Sequence, residues 1–248
     1  MDLGLKGRTA IVCGASAGMG LAIAEGLAAE GANVAMFARR RDVLELEAER
    51  IGALSVRGDL TDPADLQKLV DRTLKAFGGI DVLVNNGGGP GRGIAVGLDP
   101  ASVETAVELL LLPVVRLTNL CLPHLEQSGR GRIVNIESSS VREPLDGLVL
   151  SNTVRPGVIG WAKTLAREVA DKGITINTIA PGRIDTERLA EGFSDDTARE
   201  QAAAEVPARR FGSPAEIANV VCFLASEQAG YVTGAVVPVD GGLTRSLL

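Results

Sequence analysis

The chain is poor in the side chains that most often form reactive or metal-binding sites. Its 248 residues include one histidine, one tyrosine and three cysteines, and aromatic residues make up only 3% of the sequence. Cys13, Cys121 and Cys222 lack the close spacing of metal ligands, and each has apolar neighbours. We therefore expect buried, reduced thiols in a cytoplasmic protein, and no bound metal.

An excess of basic charge is also absent. The formal net charge is −6, which argues against binding to nucleic acid or to an anionic membrane surface. The longest apolar run, residues 109–115, is too short to span a bilayer. The first predicted strand begins at Thr9, which leaves no room for a signal peptide before it. We therefore expect neither a membrane nor a nucleic acid as a partner.

The chain does contain a regular alternation of short apolar runs and amphipathic stretches. The runs predict strands at residues 9–13, 33–37, 54–56, 82–84, 133–136, 174–179 and 236–239. The stretches between them predict helices at residues 19–30, 42–50, 64–77, 102–127, 152–171 and 214–225. This alternation predicts an α/β fold in which one doubly wound parallel sheet of seven strands, with helices on both faces, forms a single domain over residues 1–248. Residues 185–207 are polar and rich in alanine, and we expect a mobile excursion there, on the substrate side of the sheet.

Three glycines follow the first predicted strand and open the first helix. Gly14, Gly18 and Gly20 have the spacing G-x-x-x-G-x-G, and glycine at such a turn lets the backbone approach a diphosphate closely. The N-terminus of the helix behind the turn offers free N–H groups to the same anion. At the first strand-to-helix junction of a doubly wound pattern, this turn predicts a dinucleotide site.

The end of the second predicted strand bears on which dinucleotide binds. An acidic residue there would bond the adenosine ribose of NAD(H). Ala38 is neutral instead, and Arg39 and Arg40 follow it, offering guanidinium groups that match a 2′-phosphate. These residues predict NADP(H) as the cofactor, with NAD(H) as the less favoured alternative.

Together these features resemble the short-chain dehydrogenase/reductase family in its classical form, which includes the 3-oxoacyl-ACP reductases. The resemblance covers the whole chain and extends to Asp59-Leu60, Asn85-Asn86-Gly87-Gly88, residues 133–138, Pro181-Gly182 and Asp240-Gly241-Gly242. It implies a Rossmann-type fold with the cofactor across the carboxyl ends of the strands. The positions that it implies for cofactor binding are Gly14, Ser16, Ala17, Gly18, Met19, Gly20, Arg39, Arg40, Asp59, Leu60, Asn86, Gly87, Gly88, Ile136, Arg155, Pro181, Gly182, Ile184 and Thr186.

The catalytic positions that the same resemblance implies have changed. Ser151 stands where the family has its tyrosine, Arg155 where it has its lysine, and Leu110 where it has its asparagine, whereas Ser138 keeps the family's serine. A tyrosine pKa is near 10 and an aliphatic alcohol is roughly five units less acidic, a difference of about 7 kcal/mol at ~1.36 kcal/mol per unit. Arg155 stays charged and could bond the ribose of the cofactor, but it cannot release a proton near neutral pH. The family's proton relay is therefore not expected.

Other groups lie close in sequence to Ser138. Arg142, in the loop after that strand, could polarise a carbonyl or bind a substrate carboxylate, although a solvated loop position is the alternative. Glu137 is expected to point away from the site, because neighbouring residues of a strand face opposite sides. The candidate catalytic residues are therefore Ser138, Ser151, Arg155 and Arg142.

Three functions are compatible with this pattern. The favoured one is an NADP(H)-dependent oxidoreductase that acts on a small carbonyl or imine compound by a non-standard proton relay. The others are a catalytically silent NADP-binding sensor or assembly subunit, and a non-redox lyase or isomerase. In the family the long helices predicted at residues 102–127 and 152–171 pair between subunits, so we expect a homotetramer or homodimer.

Overall fold

A computed structural model describes residues 2–247. Within them, seven strands form one sheet in the order β3-β2-β1-β4-β5-β6-β7, with every neighbouring pair parallel. The predicted α/β fold with a doubly wound, seven-stranded parallel sheet is therefore confirmed. The strands are β1 (Thr9–Cys13), β2 (Asn33–Ala38), β3 (Leu54–Arg57), β4 (Val82–Asn85), β5 (Arg132–Ile136), β6 (Thr175–Pro181) and β7 (Val236–Val239).

The helices lie on both faces of this sheet. Three of them begin on a proline preceded by a capping side chain, a start that the sequence marks at Asp62, Asp99 and Ser213. The helices are α1 (Gly18–Ala29), α2 (Arg41–Ile51), α3 (Pro63–Phe77), α4 (Pro100–Leu110), α5 (Leu112–Ser128), α6 (Val149–Val169), α7 (Glu187–Ala190), α8 (Asp196–Glu205) and α9 (Pro214–Ala225).

One expectation needs correction at the level of elements, and another gains detail. The single helix predicted at residues 102–127 is divided at Leu111, because Pro113 lies in the first turn of α5 and has no N–H to continue the hydrogen bonding of α4. The excursion at 185–207 contains α7 and α8. It is held by stacking of Phe193 on Phe211, with ring centroids 5.7 Å apart. Its mobility stays a prediction.

The sheet separates two apolar cores because successive side chains of each strand point to opposite faces. Ala10 and Val12 of β1 pack on the side of α1 and α9, whereas Ile11 and Cys13 pack on the side of α3, α5 and α6. The chain order reverses between β1 and β4. In doubly wound sheets, ligands bind outside the carboxyl ends of the strands at this reversal point, which places the turn after β1 there.

The segment from α4 to α5 qualifies the expectation that no part of the chain could span a bilayer. Pro100–Ser128 is long and apolar enough to cross a membrane by length and composition, a test that core helices also pass. Only 33% of its most apolar stretch is buried inside this chain. Part of the apolar surface of this segment is therefore left uncovered by the rest of the chain.

Candidate active site

The turn after β1 can only be built from glycine. A Cβ atom on Gly20 would lie 2.1 Å from the backbone oxygen of Gly14, and one on Gly14 would lie 2.7 Å from Nδ2 of Asn86. Gly14 and Gly18 also have φ of +60° and +55°, a region that L side chains rarely adopt. The backbone is thus folded tightly in front of α1.

The N-terminus of α1, directly after this turn, has no capping side chain. Ala17 is the N-cap residue and makes no side-chain hydrogen bond, and the first turn has no acidic residue. Its backbone N–H groups are therefore available to an anion. Ser16 is nearly buried in the same turn, and Met19 packs into the core next to it.

Residues after β6 close the other side of the turn. A Cβ atom on Gly18 would lie 3.3 Å from Cγ2 of Thr186, which caps α7. Ile184 and Ile136 belong to the same apolar cluster as Met19. Pro181 ends β6, and Gly182 follows it so closely against β7 that a Cβ atom there would lie 2.6 Å from Cβ of Asp240. The structure therefore brings these predicted cofactor residues together.

Basic side chains gather at the far end of the groove, beside the carboxylates of Asp59 and Asp65. Arg39 is 78% exposed, and its Nη1 lies 4.0 Å from Oδ2 of Asp59. Arg40, the N-cap residue of α2, is exposed beside it. Arg57 and Lys68, which the sequence analysis missed, line a groove of about 250 Å³ together with Arg39. Arg57 is brought to this end of the groove because it pairs with Ala38 in the sheet.

Asp59 and the residues that follow β4 join this end to the middle of the groove. The pKa of Asp59 is lowered by hydrogen bonds from the backbone and hydroxyl of Thr61, so this carboxylate is charged. Leu60 contacts the backbone at Gly87, where a Cβ atom would lie 3.3 Å from its Cδ1. Asn86 donates from Nδ2 to the backbone oxygen of Cys13 at 3.1 Å. These contacts fix the loop after β4 against the glycine turn.

The two serines of the predicted catalytic set, Ser138 and Ser151, are linked by hydrogen bonds to a third serine, Ser140. Ser151 is buried in the first turn of α6, and its Oγ lies 3.0 Å from Oγ of Ser140. The backbone N–H of Ser140 donates to Oγ of Ser138 at 3.1 Å. Arg155, one helical turn after Ser151, donates from Nε to Oγ of Ser151 at 3.1 Å.

Glu137 completes this cluster, and the expectation that it points away from the site was wrong. Its Oε2 accepts from Nη1 of Arg155 at 2.8 Å, and the side chains of Arg155 and Glu137 are only 10% and 3% exposed. The reason is that β5 ends at Ile136, so the alternation of a strand no longer fixes where Glu137 points. A buried cation opposite it then draws in the carboxylate.

Burial decides the protonation of Glu137. Desolvation raises the pKa of its carboxyl to about 7, although the charge and hydrogen bond of Arg155 act in the opposite direction. Arg155 also donates from Nη2 to the backbone oxygen of Gly88 at 3.2 Å. The ion pair therefore lies at the loop that follows β4, beside the groove.

A small cavity of about 30 Å³ lies at this ion pair, enough for a water molecule. Glu137, Arg155 and Gly88 line one side of it, and apolar residues of α4 and α5 line the other. Leu110, which the resemblance implies at the family's asparagine position, is among them and faces the same cavity as the ion pair.

Two further arginines near the site, Arg142 and Arg188, do not bond the serine cluster. Arg142 donates from Nη2 to the backbone oxygen of Val236 in β7 at 2.7 Å; its contacts therefore tie it to the sheet edge, and its catalytic role stays a prediction. Arg188 of α7, which the sequence analysis missed, lies against the loop after β4, where a Cβ atom on Gly89 would be 2.4 Å from its Nη2. Partial desolvation and the charge of Arg155 lower the pKa of Arg188.

The part of the chain that the structure describes contains no cluster of side chains suited to binding a metal ion. Within residues 2–247 no group of three or more His, Cys, Asp or Glu side chains could hold a metal ion. The three cysteines are buried and unpaired with one another. Burial raises the pKa of Cys13 to about 12, so its thiol is neutral.

Comparison with known proteins gives a consistent picture. Residues 14–244 match the family described as enoyl-(acyl carrier protein) reductase. The chain is 37% identical over 243 residues to 3-oxoacyl-[acyl-carrier-protein] reductase FabG of Escherichia coli (strain K12). The alignment covers 97% of this chain and 99% of that relative.

Two solved structures resemble the whole chain. L-Sorbose reductase from Gluconobacter frateurii, complexed with NADPH and L-sorbose, superimposes with a TM-score of 0.92 at 34% identity and covers 100% of both chains. YwfH, an NADPH-dependent reductase involved in bacilysin biosynthesis, gives a TM-score of 0.93 at 28% identity and covers 97% of this chain and 99% of its own.

Proposed function

The chain belongs to the short-chain dehydrogenase/reductase family, and on that premise we propose that it reduces a small carbonyl or imine compound with NADPH, without a tyrosine as proton donor. The family membership makes it an oxidoreductase. The acceptor, the reaction direction and the proton route are the proposed parts.

NADP(H) is proposed to lie from the glycine turn after β1 to the basic side chains at Arg39. The glycine turn and the uncapped N-terminus of α1 would hold the diphosphate, and Thr186 closes over that turn. L-Sorbose reductase, which resembles the whole chain, is complexed with NADPH. When bound, NADPH supplies a hydride to the acceptor.

The preference for NADP(H) over NAD(H) rests on charge. Arg39, Arg57 and Lys68 meet in one groove at the adenosine end, and guanidinium and ammonium groups there favour a 2′-phosphate. Position 38 is alanine, so it lacks the acidic side chain that would accept hydrogen bonds from the adenosine ribose hydroxyls of NAD(H).

The observation that carries the proposal is the buried ion pair of Glu137 with Arg155 beside Ser151. Burying a titratable pair costs free energy, and this pair lies beside Ser151, where such a shifted group is a candidate for catalysis. Ser138 orients the substrate oxygen, and Arg155 holds Ser151 and Glu137 in place. The cluster favours turnover over a silent binding role.

The test is consumption of NADPH by the purified protein with a panel of aldehydes, ketones, 3-oxoacyl thioesters and cyclic imines. We expect at least one class to be reduced, with a slower or absent reaction when NADH replaces NADPH. Tight NADPH binding without turnover of any acceptor would overturn the proposal and leave the silent sensor or assembly subunit. Conversion of a substrate without net NADPH consumption would favour the lyase or isomerase.

The assembly is proposed to be a homotetramer or homodimer. The apolar segment from α4 to α5 is only partly covered by its own chain. Because most soluble oligomers are symmetric assemblies of identical chains, a second copy of the same segment is the expected partner.

A further inference from the structure

We propose that Glu137 is the acid that protonates the substrate oxygen, with Arg155 as the side chain that positions it. This inference rests on the reductase function proposed above and names its proton donor. It is carried by geometry: an almost fully buried carboxyl, directly before Ser138 in the chain, that faces the cavity beside Gly88.

The position of Glu137 is fixed from two sides. Its backbone N–H donates to the oxygen of Ile179 at 2.9 Å, which anchors the residue to β6. Its carboxylate is held by Nη1 of Arg155, and the same guanidinium bonds Ser151 through Nε and Gly88 through Nη2. A guanidinium has five N–H donors in a rigid plane, so Arg155 aligns the carboxyl relative to both the serine cluster and the loop after β4.

The other groups near the cavity are unsuited to the role. The guanidinium of Arg155 is engaged with Glu137, Ser151 and Gly88, and Ser151 is an aliphatic alcohol of very low acidity. Burial raises the pKa of the Cys13 thiol to about 12. Tyr231, the chain's one tyrosine, is fully exposed near the C-terminus.

A proton can leave Glu137 through the cavity that it lines. That cavity of about 30 Å³ also has Arg155 and Gly88 on its wall, and it has room for a water molecule that could pass the proton on. Leu110, Pro113 and Val114 cover its other side with apolar groups, which restricts proton exchange to the polar side.

The proton balance is simple. As the acceptor carbon receives the hydride, its oxygen takes a proton, directly or through that water, and the O–H bond of the Glu137 carboxyl breaks. The carboxylate that remains is stabilised by Arg155 and then recovers a proton from solvent. One hydride and one proton have been added to the acceptor, and Glu137 is unchanged after the cycle.

The charged and titratable groups around Glu137 come from three elements. Arg155 faces it from α6, the neutral Cys13 thiol lies on the cavity wall at the end of β1, and Arg188 of α7 lies close enough to Arg155 to feel its charge. The residues of α4 and α5 on the wall are apolar. Burial raises the pKa of Glu137 to about 7, so the acid form is lost as pH rises through that value and reduction should slow above it.

The test compares wild type with Glu137→Gln, which keeps the shape and an oxygen for Arg155 but carries no acidic proton. We expect kcat to fall about 100-fold or more, the typical contribution of a general acid, while the Kd for NADPH changes less than about threefold. Glu137→Asp should recover part of kcat and an inflection near neutral pH. The matched control is Glu126→Gln on α5, where an exposed carboxylate pairs with Lys172.

A second measurement does not depend on turnover. In protein labelled with ¹³C at glutamate carboxyls, NMR should show one carboxyl titrating near pH 7 in wild type and in Glu126→Gln, and this signal should be missing in Glu137→Gln. Turnover that Glu137→Gln leaves within about threefold, or a wild type without a glutamate that titrates near neutral pH, overturns the inference alone. A wild type that reduces no acceptor overturns the proposed function, and the inference with it.

Discussion

At the scale of single residues, we expect Arg39 to carry most of the discrimination between NADP(H) and NAD(H). Its guanidinium is exposed, and its nearest carboxylate, that of Asp59, is 4.0 Å away, so it is free to bond a phosphate. We expect Arg39→Gln to raise the Kd for NADPH about tenfold, since a hydrogen bond to a charged group contributes about 1.5–3 kcal/mol, and to leave the Kd for NADH nearly unchanged. Fluorescence titration with both nucleotides measures this.

Arg41 is the matched control for that variant. Its Nε already donates to Oε1 of Glu45 at 2.9 Å, so Arg41→Gln should change the NADPH affinity less than threefold. Equal losses in both variants would mean that general positive charge, rather than contact with the 2′-phosphate, is responsible.

Gly20 is the residue at which the cofactor turn tolerates change least. A Cβ atom there would meet a backbone oxygen at 2.1 Å, and backbone cannot give way as a side chain can. Gly20→Ala should abolish measurable NADPH binding and lower the free energy of unfolding by about 1–3 kcal/mol, as overpacking does. Gly79→Ala, where a Cβ atom has nothing within 4 Å, should change it by less than about 0.5 kcal/mol. A Gly20→Ala protein that binds NADPH normally would contradict the assignment of the turn.

At the scale of elements, helix α6, which carries Ser151 and Arg155, contains a proline in its interior, Pro156, that lowers its stability. Proline in a helix interior lacks an N–H and is about 3 kcal/mol less favourable than alanine. Because proline also restricts the unfolded chain by up to about 1 kcal/mol, we expect Pro156→Ala to raise the free energy of unfolding by about 1–2 kcal/mol in urea titrations. Glu168→Ala, at an exposed position of the same helix, should shift it by about 0.5 kcal/mol or less. A lower stability of Pro156→Ala would show that the helix depends on the proline.

The elements themselves were largely predictable, because strands buried on both faces leave a strong apolar signal. β1 and β7 have the predicted bounds, and α9 does as well. The interruption at Leu111 was missed because the apolar pattern continues through it, although Pro113 marks it. α7 and α8 were missed because neither has a buried residue, and so neither has an apolar period to detect.

The candidate site was predictable where it is built from motifs and not where it depends on contacts between distant residues. The glycine turn and Thr186 follow from local sequence. The direction of Glu137 does not, because it is set by Arg155, which is 18 residues further along the chain. Arg57 and Lys68 are likewise brought to Arg39 only by the pairing of β2 with β3.

The whole molecule presents an apolar surface along α4 and α5 that its own chain covers only in part. If a second copy covers it, light scattering should give two or four times the chain mass of 25.7 kDa. Leu112→Asp, at a partly buried position of α5, should shift the protein towards monomer, because the carboxylate would be buried without a partner. Asn119→Asp, exposed on the same helix, should not. A monomeric wild type would rule out the proposed assembly.

At the scale of the whole molecule, we propose that hydride transfer persists although the family resemblance implies Ser151 and Arg155 where the tyrosine and lysine are expected. The most direct test mixes the protein with NADPH carrying deuterium at both C4 positions and an acceptor from the panel, and follows one turnover by mass spectrometry and NMR of the product. We predict that deuterium appears on the former carbonyl or imine carbon. Bound NADPH that gives no deuterium to any acceptor would contradict the account.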